Sequence, residues 1–100
     1  VLFAGDRYVQ GEALAQALET RGYRCVYLVT GPKMFETMVR DRCLSRLYLT
    51  QRLRLFGGKE YHSMVSDEVL GEAGYLQLRS LYFDTSPLDG CTQLFASYQL

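Results

Sequence analysis

One apolar run flanked by two helical stripes constrains the fold of this chain more than any other feature. Residues 23–29 are almost continuously apolar or aromatic, which is typical of a strand covered on both faces. Apolar residues recur at helical spacing before this run, over residues 11–21, and after it, over residues 33–42. Strands and helices in alternation are the pattern of an α/β fold.

Glycine and proline mark where these elements end or begin. Gly22 follows the first helical stripe, where a left-handed residue is expected. Pro32 suits the first position of the second helix, because its missing N–H costs nothing there. Apolar residues 1–4 predict a first strand, and alternation over residues 44–55 predicts a third. Residues 60–72 predict either a short helix or an irregular cover.

The last quarter of the chain predicts an antiparallel hairpin of residues 75–83 and 91–100, joined by the turn-rich residues 84–90. Right-handed crossovers make the first three strands parallel. We therefore expect an α/β fold with a three-layer mixed sheet, in the order β-α-β-α-β and then the antiparallel β-hairpin, as a single domain over residues 1–100. Because residues 91–100 carry little charge, we expect them to form an edge strand that a partner subunit or a missing part of the domain covers. The chain opens within an apolar run and without Met, so we expect it to be part of a longer protein.

Composition excludes several classes of function. Eleven Lys and Arg balance eleven Asp and Glu among 100 residues, so we expect no nucleic-acid and no membrane partner. No apolar run approaches the roughly 20 residues that a membrane span needs. Three widely spaced cysteines, without a CxxC pair and with a single histidine, predict free thiols, no metal site and a cytoplasmic location.

Two loops are candidates for binding a ligand, because ligands of parallel sheets bind beyond the carboxyl ends of the strands. One loop begins at Gly5. The other comprises Thr30, Gly31, Pro32 and Lys33 and leads directly into a helix. A helix N-terminus offers unpaired N–H groups and partial positive charge, which suit a phosphate or pyrophosphate. An ordinary strand-to-helix turn explains the same residues.

Several stretches in order resemble one family. Residues 12–32 (EALAQALETRGYRCVYLVTGP), residues 44–50 (LSRLYLT) and residues 56–58 (FGG) resemble the RibD C-terminal reductase domain, which has the dihydrofolate reductase-like fold. Residues 31–35 (GPKMF) are similar to the glycine signature of dihydrofolate reductases, and Gly90 before residues 94–98 fits the family's end. The resemblance covers nearly the whole chain, as the C-terminal half of a family domain.

This resemblance implies a homodimeric NADPH-dependent reductase of a pyrimidine or pterin-like heterocycle. The cofactor brings the hydride, and the protein mainly orients it. By the resemblance, Thr30, Gly31, Pro32 and Lys33 lie at the cofactor phosphates, with Gly5 in the neighbouring loop, and no catalytic residue is assigned. The sequence departs from the family at two positions, with Val29 for a Glu and Thr30 for the first glycine.

Those departures leave a second hypothesis open, a non-catalytic dimerisation or interaction module on the same fold. A third, a flavodoxin-like phosphate-binding domain, requires a helix between the last two strands, for which residues 84–90 are too short.

For the remaining polar residues, a structural or solubilising role is an alternative to a functional one. Asp6 and Arg7 contact a ribose or 2′-phosphate, or only solubilise a loop, and His62 is a surface histidine rather than a base. The basic residues between Arg40 and Arg54 predict a solvated face or a subunit contact.

Overall fold

The computed structural model describes residue 5 and residues 8–60, 63–65, 69–85 and 89–100. In chain order, the elements are α1 (Gly11–Thr20), α2 (Pro32–Arg40), β1 (Arg46–Arg52), a 3₁₀ helix (Gly71–Gly74), β2 (Gln77–Phe83) and β3 (Gln93–Gln99). They divide into two compact units, a helical unit of residues 1–44 and 63–74 and a sheet unit of residues 45–62 and 75–100. The predicted mixture of helices and strands is confirmed, since the described residues form two α-helices and one three-stranded antiparallel sheet.

Helix α1 ends as the sequence predicts. Gly22 follows it with φ +91°, a conformation that glycine adopts without a steric penalty. Its N–H donates to the carbonyl of Glu19 at 2.9 Å, and the N–H of Tyr23 donates to the carbonyl of Leu18 at 3.2 Å. These two bonds form a Schellman motif, which satisfies carbonyls that the helix leaves open.

Helix α2 begins at Pro32, as predicted, and ends in a second Schellman motif. The N–H of Cys43 donates to the carbonyl of Met38 at 2.9 Å, and that of Arg42 donates to the carbonyl of Val39 at 3.0 Å. Here the left-handed position holds Arg42, with φ +55°. A side chain in this conformation costs free energy that a glycine does not. Met38 and Val39, from the predicted apolar stripe, are buried.

The N-terminus of α1 is capped from the end of α2. Gln10, at the N-cap position, provides no side-chain hydrogen bond. Instead, the backbone N–H of Gly11 donates to Oδ2 of Asp41 at 2.7 Å. A Cβ on Gly11 would lie 2.8 Å from the Asp41 side chain, so the glycine permits this close approach. The carboxylate satisfies an otherwise unpaired N–H and lies at the positive end of the helix dipole.

The sheet has the strand order β1-β3-β2, and both pairs are antiparallel. The hairpin of β2 and β3 is therefore confirmed, and residues 84, 85, 89 and 90 of its loop are described. The prediction of an edge position for residues 91–100 is wrong, because β3 is paired on both sides. The physical reason lies in the charges, since β3 carries none while β1 and β2 carry arginines. Charged strands tolerate the solvent-exposed edges of a sheet better than neutral ones.

The register divides the sheet side chains between two faces, because side chains alternate along each strand. We call one face the leucine face; its members are Leu47, Leu49, Gln51, Leu78, Leu81, Phe83, Leu94, Ala96 and Tyr98. We call the opposite one the aromatic face; its members are Arg46, Tyr48, Thr50, Arg52, Gln77, Ser80, Tyr82, Gln93, Phe95, Ser97 and Gln99. On the leucine face Ala96 is buried, whereas Leu81 and Phe83 remain exposed.

A bulge interrupts β2 between Leu78 and Ser80. Leu78 and Leu81 are three positions apart in the sequence, whereas strict alternation puts only residues two or four positions apart on one face. The bulge takes up the extra residue, Arg79. Leu78 and Leu81 therefore lie on the same face of the sheet. Their cross-strand partners on β3 are Tyr98 and Ala96, respectively.

The predicted strand over residues 23–29 is wrong, since these residues belong to no strand and are exposed throughout. Val29 has 97% of its surface exposed. Apolar content selects the residues that a sheet buries, but a strand forms only where a neighbour completes its backbone hydrogen bonds. Consequently the parallel part of the predicted mixed sheet is not present among the described residues.

Other predictions have different outcomes. The third strand is confirmed as β1, although its pairing with β3 is antiparallel. Of the segment predicted over residues 60–72, only the start of the 3₁₀ helix at Gly71 is helical among the described residues, and residues 61, 62 and 66–68 fall outside them. The predicted strand over residues 1–4 and the hypotheses on Asp6, Arg7 and His62 fall outside the described residues.

Replacing Arg42 by glycine should stabilise the protein. Glycine removes the cost of the left-handed conformation, a gain of about 1 kcal/mol in the free energy of unfolding. For a domain of this size we expect thermal unfolding to shift upward by about 4–8 °C, measured by circular dichroism. Arg42→Ala is the matched control, because alanine retains the backbone cost. Equal melting temperatures for the two variants would contradict this account.

Candidate functional site

The predicted ligand loop lies at the N-terminus of α2. Gly31 is the N-cap residue, with φ −79° and ψ 177°, and Pro32 is the first residue of the helix. Thr30, Gly31, Pro32 and Lys33 are all exposed. The structure therefore places four of the five predicted cofactor-binding residues together, on a surface that solvent reaches.

Neither conformation nor packing requires a glycine at position 31. Its backbone is extended, a conformation open to any residue. A Cβ at this position would meet no atom within 4 Å. A glycine that the chain itself does not need leaves room for something outside the chain to approach the backbone closely.

The first turn of α2 has N–H groups available for an anion. The hydrogen bond from the Phe35 N–H to the Gly31 carbonyl, at 3.2 Å, is the first of the helix. The N–H groups of Lys33 and Met34 precede it, and Gly31 makes no side-chain capping bond. Unpaired N–H groups and the helix dipole together give this end partial positive charge.

The charged groups at the N-termini of the two helices differ. At α1 the chain supplies its own anion, the Asp41 carboxylate, and Glu12 adds an acid in the first turn. At α2 the first turn contains no acid, and Lys33 adds a cation. The N-terminus of α2 thus has the more favourable electrostatic environment of the two for an anion from solution.

Gly5, the fifth predicted site residue, has a conformational explanation. Its φ is +136°, in the region that favours glycine. A Cβ there would lie only 2.0 Å from the carbonyl oxygen of Tyr8. The turn itself therefore accounts for this glycine, and no ligand is needed to explain it.

Sequence reasoning missed a group of acids around Cys43. The Cys43 thiol donates to the Asp41 carbonyl at 3.3 Å. Burial raises the pKa of this thiol, and the negative charges of Asp41 and Glu12 raise it further. The thiolate is the nucleophilic form of cysteine, so a raised pKa favours the less reactive protonated thiol at Cys43. No local signal shows this, since Glu12 and Cys43 are distant in sequence.

A second group missed from the sequence lies at the end of β1. Arg52 forms an ion pair with Asp89, and Oδ1 of Asp89 accepts the Cys91 N–H at 3.1 Å. That backbone hydrogen bond and the Arg52 guanidinium lower the pKa of Asp89. These contacts fasten the turn before β3 to β1.

Three observations limit the chemistry. All three cysteines are free thiols. The residues that the structure describes contain no cluster of His, Cys, Asp and Glu able to hold a metal ion. None of the helices within the described ranges has the length and apolar character that crossing a membrane requires.

The chain matches no family model, and no significant similarity relates it to a curated protein or to a solved structure.

Thiol labelling should rank the cysteines by their surroundings. We expect iodoacetamide at pH 7.5 to modify exposed Cys25 well before Cys43, measured by mass spectrometry of tryptic peptides, because the raised pKa keeps Cys43 protonated. Glu12→Gln removes one of the charges that raise this pKa, so it should accelerate labelling of Cys43 about twofold. Glu19→Gln, on the same helix, is the control. Equal rates for Cys25 and Cys43 would refute this ranking.

Proposed function

We propose that this chain carries part of the cofactor site of an NADPH-dependent reductase that acts on a pyrimidine or pterin-like heterocycle. The observation that carries the proposal is the N-terminus of α2, where an unneeded glycine, free N–H groups and Lys33 come together on an open surface. This is the chemistry that binds a phosphate. The resemblance of residues 12–32 to the RibD C-terminal reductase domain supplies the class of reaction.

The proposed arrangement is that of the dihydrofolate reductase-like fold, with this chain as the C-terminal part of a larger reductase domain. Lys33 and the N–H groups of the first α2 turn would hold the cofactor phosphates, and Thr30 would add a hydroxyl donor. When bound, NADPH supplies a hydride to the heterocycle. The chain's own contribution is to bind and orient, and a cytoplasmic homodimer is part of the proposal.

The residues fit such a group in charge and in space. The first turn of α2 has no acid to repel a phosphate, and the place of the missing Gly31 side chain is open. Thr30, which stands at the family's first glycine, is exposed.

Titration of the protein with NADPH tests the proposal. We expect saturable binding below millimolar cofactor, measured by the fluorescence of the reduced nicotinamide and by calorimetry. Lys33→Glu replaces an attraction by a repulsion, and we expect affinity to fall about tenfold, which corresponds to ~1.4 kcal/mol. Lys59→Glu, the same reversal at the other lysine of the chain, should leave binding unchanged.

Gly31→Ala is the sharper variant. Its Cβ meets nothing in the chain, so the melting temperature should stay nearly constant while NADPH binding weakens. No saturable binding at millimolar cofactor, or equal effects of Lys33→Glu and Lys59→Glu, would overturn the proposal.

A second candidate function is a non-catalytic interaction module, and the leucine face favours it. Leu78, Leu81 and Phe83 lie on this face along β2, and more than half of each side chain is exposed. A row of exposed apolar side chains on an edge strand is typical of a surface that another protein surface covers. In this alternative, two copies of the chain pair through the leucine face, and no NADPH binds.

Sedimentation velocity over a range of concentrations tests the alternative. We expect a dimer that Leu81→Lys converts to a monomer, because a charge in a buried apolar contact is costly. Gln77→Lys, on the opposite face of the same strand, should leave the dimer intact. A wild-type monomer throughout, or NADPH turnover with a pyrimidine substrate, would exclude the non-catalytic module.

A further inference from the structure

The aromatic face of the sheet carries three exposed aromatic rings. Tyr48, Phe95 and Tyr82 lie on the aromatic face, one on each strand. They are 59%, 41% and 68% exposed, respectively. Ala96, the buried residue of the described strands, lies on the leucine face, so burial in a core does not explain these three rings. Exposed aromatic residues grouped on an otherwise polar surface mark a binding site.

The register places the three rings next to one another. Tyr82 and Phe95 are direct cross-strand partners, and such residues have Cβ atoms about 5 Å apart. Tyr48 pairs with Ser97, two residues along β3 from Phe95, at the diagonal spacing of about 7–8 Å. Together the rings form a platform that extends across all three strands.

Polar groups that can recognise a ligand surround the platform. The hydroxyl oxygens of Ser80 and Ser97 lie 2.5 Å apart beside the rings. Thr50 lies between Tyr48 and Arg52 on β1, and the amides of Gln77 and Gln99 are cross-strand partners at one end. Hydroxyl and amide groups can both donate and accept hydrogen bonds.

The charges of the strands select the class of ligand. The three strands contain Arg46, Arg52 and Arg79 and no Asp or Glu, although the whole chain has a formal net charge of zero. Arg46 and Arg52 lie at the two ends of β1 on the aromatic face, and Arg52 shares its charge with Asp89 from the adjoining turn. The strands that carry the rings thus contain positively charged side chains and no negatively charged ones, and Arg46 is the arginine of the aromatic face outside the Arg52–Asp89 pair.

We propose that the aromatic face binds single-stranded nucleic acid. Successive bases would stack on Tyr82, Phe95 and Tyr48, because every base offers a flat face to an aromatic ring. Arg46 would contact the phosphate backbone. A duplex keeps its bases stacked inside and offers none to the platform. A proline-rich peptide would use the rings but not the arginines. The proposal goes beyond the reductase and does not depend on it, since it concerns the sheet unit alone.

The formal net charge of zero predicts that the chain has no nucleic-acid partner, which is the opposite of the proposal. Nothing in the structure tests that prediction. Total charge measures the average field around a protein, whereas binding depends on the local field. On the strands, basic residues outnumber acidic ones, whereas the two are equal over the whole chain. The experiment that follows decides between the prediction of no nucleic-acid partner and the proposal.

The test is fluorescence anisotropy of a fluorescein-labelled single-stranded 12-mer, as DNA and as RNA, titrated with the protein. We expect a Kd of about 100 μM or tighter at physiological salt, with weaker binding as salt rises. Tyr82→Leu and Tyr48→Leu keep apolar bulk but remove the ring, and each should weaken binding at least about fivefold. Arg46→Gln should weaken binding and flatten its salt dependence.

Matched variants separate stacking from stability and from charge. Phe83→Leu makes the same kind of change one residue along β2 but on the leucine face, and Arg24→Gln removes an arginine of the helical unit. Both should bind like the wild type. Lys33→Glu should also bind the oligonucleotide normally, so that failure of the NADPH proposal and failure of this one remain distinguishable.

Four results would overturn the proposal. They are no anisotropy change up to about 0.3 mM protein, equal losses for Tyr82→Leu and Phe83→Leu, equal affinity for inorganic polyphosphate, and tighter binding of a duplex or a proline-rich peptide than of the single strand.

Discussion

The pairing of β3 with strands on both sides determines which surfaces the sheet unit presents. Backbone hydrogen bonds set the register on each side, and the alternation of side chains then assigns every strand residue to one face. All the strand leucines lie on one face, whereas Tyr48, Tyr82 and Phe95 lie on the other together with Arg46 and Arg52. A slip of one residue would exchange the two faces, so both proposed uses of the sheet depend on this register. The neutral strand in the centre and the arginine-bearing strands at the edges stabilise the same arrangement.

In the helical unit, the comparable constraint is the contact between Asp41 and Gly11. A carboxylate at the end of one helix satisfies the beginning of the other, and it also raises the pKa of the neighbouring Cys43 thiol. One side chain thus joins two helices and adds to the effect of burial in favouring the protonated form of a cysteine. The Asp41 carboxylate occupies the N-terminus of α1. The first turn of α2 contains no acid, so it is the more open of the two N-termini to an external anion.

Local signals in the sequence predict the local features of the structure. Gly22 and Pro32 mark helix ends because their backbone chemistry suits those positions, and the hairpin follows from two alternating runs with turn residues between them. The exposed loop at Thr30 to Lys33 was predicted for the same reason. Arg42 gave no such signal, because the residue expected in a left-handed position is glycine.

Features that depend on distant residues could not be predicted. The bond between Gly11 and Asp41 spans 30 residues, and the ion pair between Arg52 and Asp89 spans 37. The central place of β3 depends on pairing across the whole second half of the chain. The apolar residues 23–29 show the converse, since composition favours a strand there but no described neighbour completes one. The aromatic face likewise emerges only when the register places Tyr48 of β1 and Tyr82 of β2 on the two sides of β3, on the same face as Phe95.

The bulge in β2 has a consequence for how this strand can change length. Leu78, Leu81 and Phe83 share a face only because Arg79 is absorbed without a partner. Loss of Arg79 would bring these apolar positions into strict alternation. A shortened β2 would therefore keep the same residues on the leucine face and the same residues on the aromatic face. Deletion of one residue from the centre of β1, which has no bulge, would turn half of that strand over. Length variation in evolution should therefore be tolerated at one edge of this sheet and not at the other.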